Sequence, residues 1–352
     1  MIHRSFRITA ARINSLELAT VTARSLQTPF ACLIGLLFVL LIASGGASAD
    51  VLSGDIGSHD PSRMIQCDGV YYVYSTGGRM IFSKDRLHWT RGPSPFVGGA
   101  PAWAKTMIPN SEGIWAPDVI FFDGLYHLYY SVANAKSDTC IGMMSSPTLD
   151  PKSPNYKWTD HELVVSAHKT DQRAAIDPCP VFDAGGNLWL SFGSNYTFPA
   201  TRPAIFIMQL DAKTGLALSP SPTLTPLQTG HIEASYIFYH AGFYYLFWNS
   251  GGCCNGVKSS YTIHIARSST ITGPYKNKAG NAGGDVFLAS YTDPSNGEEH
   301  GPGQIGILSE DGVDRFSYHY YDAEGRAVLG EGILKYDSDG WPVPAAQAAG
   351  GQ

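Results

Sequence analysis

The stretch Pro117-Asp118-Val119-Ile120-Phe121-Phe122-Asp123-Gly124-Leu125-Tyr126-His127-Leu128-Tyr129-Tyr130-Ser131 decides the fold. Two apolar and aromatic runs flank Asp123-Gly124, a dipeptide that suits the left-handed backbone of a tight hairpin turn. The pattern recurs. Asp68-Gly69 precedes Val70 to Ser75, Gly185-Gly186 precedes Leu188 to Gly193, Ala241-Gly242 precedes Phe243 to Asn249, and Asp311-Gly312 precedes Phe316 to Tyr321. A further strand-like run follows each hairpin: Met80 to Ser83, Ile141 to Ser146, Ile205 to Leu210, Thr262 to Ser268 and Gly330 to Tyr336. No stretch after residue 50 sustains a helical period. Five units of about four strands, at a period of about 55 to 60 residues, predict an all-β, five-bladed β-propeller from Asp50 to about Pro344. A β-sandwich would also have short strands and turns, but would not place an acid at one phase of each unit.

Such acids recur. Asp60, Asp118, Asp177 and Glu233 stand 58, 59 and 56 residues apart. They are expected at the same place in successive blades, meeting at one mouth of the central channel. Carboxylates that converge repel one another, so they signify acid/base chemistry or a bound cation. Glycoside hydrolysis has this requirement: one protonated carboxyl for the leaving oxygen and one ionised carboxyl to activate water. A third acid nearby raises the donor's pKa and orients it. Asp60-Pro61 and Asp177-Pro178 also read as turn initiators, because Asp-Pro is a common turn pair. That alternative does not reach Glu233, which sits within the strand-like run Ile232 to Ile237.

The first 49 residues are unlike the rest. Arg4, Arg7, Arg12 and Arg24 precede an apolar run from Ala31 to Ala43, and Ala47-Ser48-Ala49 follows. This is the order of a secretory signal peptide cleaved after Ala49, and the run is shorter than the roughly 20 residues of a spanning helix. Residues 50–352 are then a single domain of a secreted or periplasmic protein with no membrane partner. Net charge is −6 for the whole chain and near −9 without that segment, with no basic runs, which excludes nucleic acid as a partner. Five cysteines remain, an odd number. Adjacent Cys253 and Cys254 read as thiols or a local structural bridge rather than metal ligands, since no metal-type spacing accompanies them. Asn195-Tyr196-Thr197 matches a glycosylation acceptor.

His59-Asp60-Pro61-Ser62, Trp115-Ala116-Pro117-Asp118, Ala175-Ile176-Asp177-Pro178 and His231-Ile232-Glu233-Ala234-Ser235-Tyr236-Ile237 resemble the blade signatures of glycoside hydrolase family 43. Within it the chain is most similar to endo-α-1,5-L-arabinanases. The likeness extends to Trp189 to Ser194, Cys253-Cys254-Asn255-Gly256, Ser268 to Tyr275, Gly301-Pro302-Gly303 and Asp339-Gly340-Trp341-Pro342, covering about residues 55 to 344. The resemblance implies a five-bladed propeller and inversion at the anomeric carbon. It also implies Asp60 as general base, Glu233 as general acid, and Asp177 as the residue that tunes and orients that acid.

Trp115, Asp118, Ser194 and Asn195 are the candidate substrate-binding residues. For Trp115, a sugar platform and ordinary core packing are equal readings; Asp118 reads as structural or as a neighbour of the substrate. Two departures stand out. Ser235 replaces a proline common in arabinanases. Gln304 replaces a histidine of the fifth blade that in relatives lies near a hydrated axial ion, often calcium; Gln304 retains a carbonyl oxygen, and His300 stands four residues earlier as a substitute ligand or a solvated loop histidine. No cofactor is expected to be required. The expected substrate is arabinan, cut internally by a monomer. The alternatives are an exo-acting arabinofuranosidase or β-xylosidase, or a sugar-binding propeller without catalysis.

Overall fold

The computed structural model describes residues 51–345 apart from 135–137, 169–170, 172–173 and 294–296. The predicted signal segment 1–49 lies outside the described residues. Five sheets, antiparallel apart from one parallel pair in the first, follow one another along the chain. The first contains β1 (Ser53–Gly54), β2 (Ile65–Cys67), β3 (Val70–Ser75), β4 (Arg79–Ser83) and β5 (His88–Arg91), and the short helix α1 (Ala102–Met107) leads to the second. The second contains β6 (Ile114–Phe122), β7 (Leu125–Ala133), β8 (Thr139–Ser146) and β9 (Thr159–Ala167), and the third β10 (Cys179–Phe182), β11 (Leu188–Phe192), β12 (Pro203–Gln209) and β13 (Thr225–Thr229). The fourth contains β14 (Ile232–His240), β15 (Phe243–Ser250), β16 (Thr262–Ser268) and β17 (Asp285–Leu288). The fifth contains β18 (Tyr291–Asp293), β19 (Gly297–Glu310), β20 (Val313–Tyr321), β21 (Ala327–Tyr336) and β22 (Pro342–Pro344). This is the five-bladed propeller that the repeat predicts.

Turn chemistry fixes the hairpins between the first and second main strands of each blade. Gly69, Gly124, Gly186, Gly242 and Gly312 all have positive φ, and four of them follow a residue that does too: Asp68, Asp123, Ala241 or Asp311. Glycine and short polar residues take that conformation most cheaply, so the Asp-Gly turns were legible in the sequence, while Ala241 takes it at higher cost. Burial then sets the packing. Each hydrophobic cluster lies at a seam between blades: Tyr72, Tyr74 and Met80 against Val119, Leu128 and Tyr130, for example, and Phe247 and Phe287 against Phe316 and Tyr318. Each large apolar side chain buried there contributes about 1.5–3 kcal/mol.

The ring closes where its ends meet. β1 runs parallel to β5 of the first blade, and the residues after it bond to the fifth blade. Ser58 N–H donates to Ala327 O at 3.1 Å and Leu329 N–H to Ile56 O at 2.8 Å. Trp89, Val73 and Ile81 pack with Leu329 across this seam. A cavity of about 1240 Å³ opens at the same seam, between residues such as Leu52 and Tyr318, and no predicted site residue lines it.

Candidate active site

Each blade enters its inner strand through one residue with left-handed backbone: Asp60 (φ 50°), Ala116 (37°), Asp177 (56°), Ala234 (58°) and Gln304 (53°). On β6, β14 and β19 the strand register slips at this point. A bulge turns one N–H out of the ladder, and that donor needs a partner. Seven residues after the turn glycine, the preceding blade supplies the acceptor. Ala116 N–H donates to Thr76 Oγ1 (2.9 Å), Asp177 N–H to Ser131 Oγ (3.0 Å), Gln304 N–H to Asn249 Oδ1 (3.1 Å), and Asp60 N–H to His319 Nδ1 (3.1 Å). The third blade has Gly193 at that phase, with no side chain to offer. Ala234 N–H donates instead to Asp177 Oδ2 at 2.9 Å. The break in the pattern thus couples Asp177 to the backbone next to Glu233.

These bulges correct the expectation that the four acids share one phase. Asp60 and Asp177 occupy the bulge, Glu233 comes one residue earlier, and Asp118 comes two residues later than Ala116. The even spacing arose from units of unequal length. Asp118 consequently joins a different structure. Buried at 3% exposure, it receives Arg63 N–H at 2.9 Å and the Arg63 guanidinium on both oxygens. Arg63 also donates to Pro180 O at 2.6 Å and lies over the Tyr236 ring, whose hydroxyl donates to Ile307 O. One guanidinium therefore ties together several blades, and Asp118 is its counterion.

The remaining three acids act on one another electrostatically. Burial would raise the pKa of Asp60, but the His59 ring 2.7 Å away, His319 and the Thr76 hydroxyl hold it at about 2. Burial raises Glu233 to about 7, and the charge of Asp60 adds to the rise against the Ser194 hydroxyl and His59. Burial, then the charges of Glu233 and Asp60, also raise Asp177 well above the usual carboxylate range. Glu233 thus keeps its proton towards neutral pH, and Asp177 is shifted in the same direction. Ser194 Oγ donates to Glu233 Oε2 at 3.0 Å, and the Tyr261 hydroxyl donates to Oε1.

The other predicted residues are distributed unevenly. Ser194 reaches Glu233. Asn195 does not face it: at 2% exposure, its amide donates to Pro199 O and accepts Phe198 N–H, so it shapes its own loop and is closed to modification in the folded chain. Trp115 is half-buried and pairs with Ser131, the residue that holds Asp177. Ser235 is buried and its hydroxyl meets Ser191 at 3.1 Å, which gives the substitution for proline a polar partner on β11. Cys253 and Cys254 form a disulfide, while Cys67, Cys140 and Cys179 are free and buried.

His300 Nε2 lies 3.2 Å from Glu298 Oε2 and joins no group of three or more His, Cys, Asp or Glu ligand atoms among the described residues. Gln304 is buried beside Asn249. His59, Asp60 and His319 do cluster within 4.8 Å. However, His319 Nδ1 already accepts the Asp60 N–H, and Asp60 Oδ2 accepts the Thr76 hydroxyl beside the His59 ring. Those bonds take up His319 Nδ1 and Asp60 Oδ2, and the disulfide sulfurs next to His59 are not thiolates, whereas the buried His319 Nε2 has no hydrogen-bond partner.

Sequence reasoning missed Thr76, Tyr261, His319 and the part His59 plays. A signal existed for two of them, because Thr76 and His319 are polar residues seven positions after a turn glycine, at the end of aromatic runs.

The family model of the glycosyl hydrolases family 43 matches residues 51–342. The chain is 35% identical over 321 residues to the extracellular exo-α-(1→5)-L-arabinofuranosidase of Cellvibrio japonicus, covering 86% of this chain and 88% of that protein. It is 34% identical over 316 residues to the extracellular endo-α-(1→5)-L-arabinanase 1 of Bacillus subtilis, covering 84% and 88%. Among solved structures, the Cellvibrio cellulosa α-L-arabinanase complexed with arabinohexaose aligns with a TM-score of 0.75 at 28% identity, over 84% of this chain and 97% of that one. The endo-arabinanase of Bacillus licheniformis aligns with a TM-score of 0.72 at 35% identity, over 83% and 99%.

Proposed function

The chain belongs to glycosyl hydrolase family 43, and on that premise we propose that it hydrolyses internal α-1,5-L-arabinofuranosyl linkages of arabinan with inversion at the anomeric carbon. The observation that carries the reading is the split between two carboxyls of one site, Asp60 at about 2 and Glu233 at about 7. At about pH 5 the first is ionised and the second protonated, the states that a general base and a general acid require. Asp60 takes a proton from the attacking water as its oxygen bonds to the anomeric carbon. Glu233 gives its proton to the departing glycosidic oxygen. The hydroxyls of Ser194 and Tyr261 then stabilise the carboxylate left on Glu233. Asp177, bonded to Ala234 N–H, holds the acid's backbone and shares its proton.

The names of the Bacillus relatives support internal cleavage, and the Cellvibrio japonicus relative supports the exo alternative. The order of charge, apolar run and small residues before Asp50 supports export, as do relatives named extracellular and a disulfide suited to an oxidising compartment. A monomer that needs no metal belongs to the same proposal. Sizing the products from linear arabinan, with and without chelator, tests these points together. Mixed oligosaccharides should appear early, the first-formed anomer should be inverted by NMR, and chelation should change the rate less than about twofold. Monomer alone from the start would sink internal cleavage, a retained anomer would sink inversion, and a complete, calcium-reversible loss would restore the metal.

A further inference from the structure

The loop after β15 carries the disulfide between Cys253 and Cys254. Because these residues are adjacent, the disulfide encloses their own peptide in a small ring. The N–H of that peptide, on Cys254, donates to the Tyr321 hydroxyl oxygen at 2.8 Å. Tyr321 lies at the end of β20, 4% exposed, and its oxygen is 2.7 Å from His59 Nε2. His59 Nδ1 in turn lies 2.7 Å from Asp60 Oδ2. The contact falls outside hydrogen-bond geometry for the ring N–H, so its effect is electrostatic rather than that of a linear bond.

The direction of the chain follows from its first member. A peptide N–H can only donate, so the Tyr321 oxygen accepts from it and keeps a second lone pair for His59 Nε2–H. Burial lowers the His59 pKa, but the charges of Asp60 and Glu233 outweigh it and raise the group above 6.5, so near pH 5 the ring is an imidazolium whose two N–H groups face Tyr321 and Asp60. The ring is held in its plane as well, stacked on His319 with centroids 4.2 Å apart. His319 takes the Asp60 N–H on Nδ1, so the two histidines grip Asp60 through side chain and backbone.

We propose that Tyr321 and His59 are positioning residues that connect the disulfide-enclosed peptide of Cys253 and Cys254 to the Asp60 carboxylate, holding the His59 cation that faces the base. The proposal rests on the reading of Asp60 as general base. Reduction of the disulfide belongs to the same device. A dithiol is oxidised to its cyclic disulfide while Sγ of Cys253 and of Cys254 each receive an electron and a proton, and the peptide is released from its ring. Cys67, Cys140 and Cys179 are already thiols, so among the described residues only this bond is reducible.

Tyr321→Phe removes one hydroxyl and leaves the ring. Without that acceptor, His59 Nε2–H is left unpaired and the imidazolium that faces the carboxylate is disfavoured. The groups that act on Asp60 are then His59, His319 and the Thr76 hydroxyl, with Glu233 and Asp177 across the site. We expect kcat on linear arabinan to fall about tenfold with KM within twofold. The acid limb of the pH profile should move from about 2 towards the ordinary carboxylate range near 4. Dithiol treatment of the native enzyme should move the limb the same way, and dithiol added to Tyr321→Phe should add little. An unchanged profile in Tyr321→Phe would overturn the proposal, as would a rate loss explained by a lower Tm alone. Titration of the Asp60 carboxyl by carbon-13 NMR separates the two readings. Inactivity of the native protein on arabinan would sink the substrate, whereas an Asp60 titration unmoved by Tyr321→Phe would sink the relay whatever the substrate.

Discussion

Glu233 and Asp60 differ by one methylene, yet the fold drives them in opposite directions, to about 7 and about 2. Burial alone would raise both; the difference is that Asp60 has a histidine at 2.7 Å, whereas Glu233 has burial and the charge of Asp60. The stability consequences are also opposite. Asp60 favours folding above its unfolded pKa near 3.8, and that contribution is lost as pH falls through about 2. Glu233 binds its proton more tightly folded than unfolded, so the native state loses up to about 3 kcal/mol as pH rises from about 4.5 to about 7. Glu233→Gln should therefore abolish turnover, by about 10³-fold or more in kcat, and spare binding. Its Tm advantage over the native protein should be larger at pH 8 than at pH 5. Full activity on arabinan would refute the acid assignment, and an equal Tm difference at both pH values would refute the burial argument. The candidacy of both acids was legible from residue type and spacing. Their split was not, because it depends on burial and on Thr76, His319 and Ser194 brought in from other parts of the chain.

At the scale of the strand, the repeating device is a bulge whose outward N–H finds a side chain on the blade before it. The turn glycines that set this phase were visible in sequence, and so was Gly193, as a gap in the series Thr76, Ser131, Asn249 and His319. A Cβ there would lie 2.1 Å from Ala204 O, and the backbone has a φ of 130°, so the position admits glycine for local reasons and leaves Ala234 N–H to Asp177. Asp118 shows the opposite case, a residue whose even spacing suggested membership of the site. Its pairing with Arg63 in the interior predicts a structural cost: Asp118→Ala leaves a buried guanidinium unpaired and should cost about 3–5 kcal/mol in urea unfolding. The kcat of the folded fraction should stay within a few-fold. A stable variant with raised KM would return Asp118 to the substrate.

At the scale of the molecule, a ring of blades must be closed, and here residues 56–58 do so by bonding to β21 of the last blade. Deleting residues 51–58 removes β1 and those bonds while leaving all three catalytic candidates, so the Tm should fall by several degrees, with the pH dependence of remaining activity unchanged. An unaltered Tm would mean that apolar packing at this seam suffices. The sequence by itself determined the number of blades, the hairpins and the candidate acids, because turn glycines, alternating aromatic runs and isolated carboxylates act over a few residues and repeat. Only the tertiary structure decided which acids share an environment, which histidine faces the base and what Asp118 is for. Those outcomes depend on bulges that shift phase by one or two residues, and on partners brought from other blades by closure of the ring.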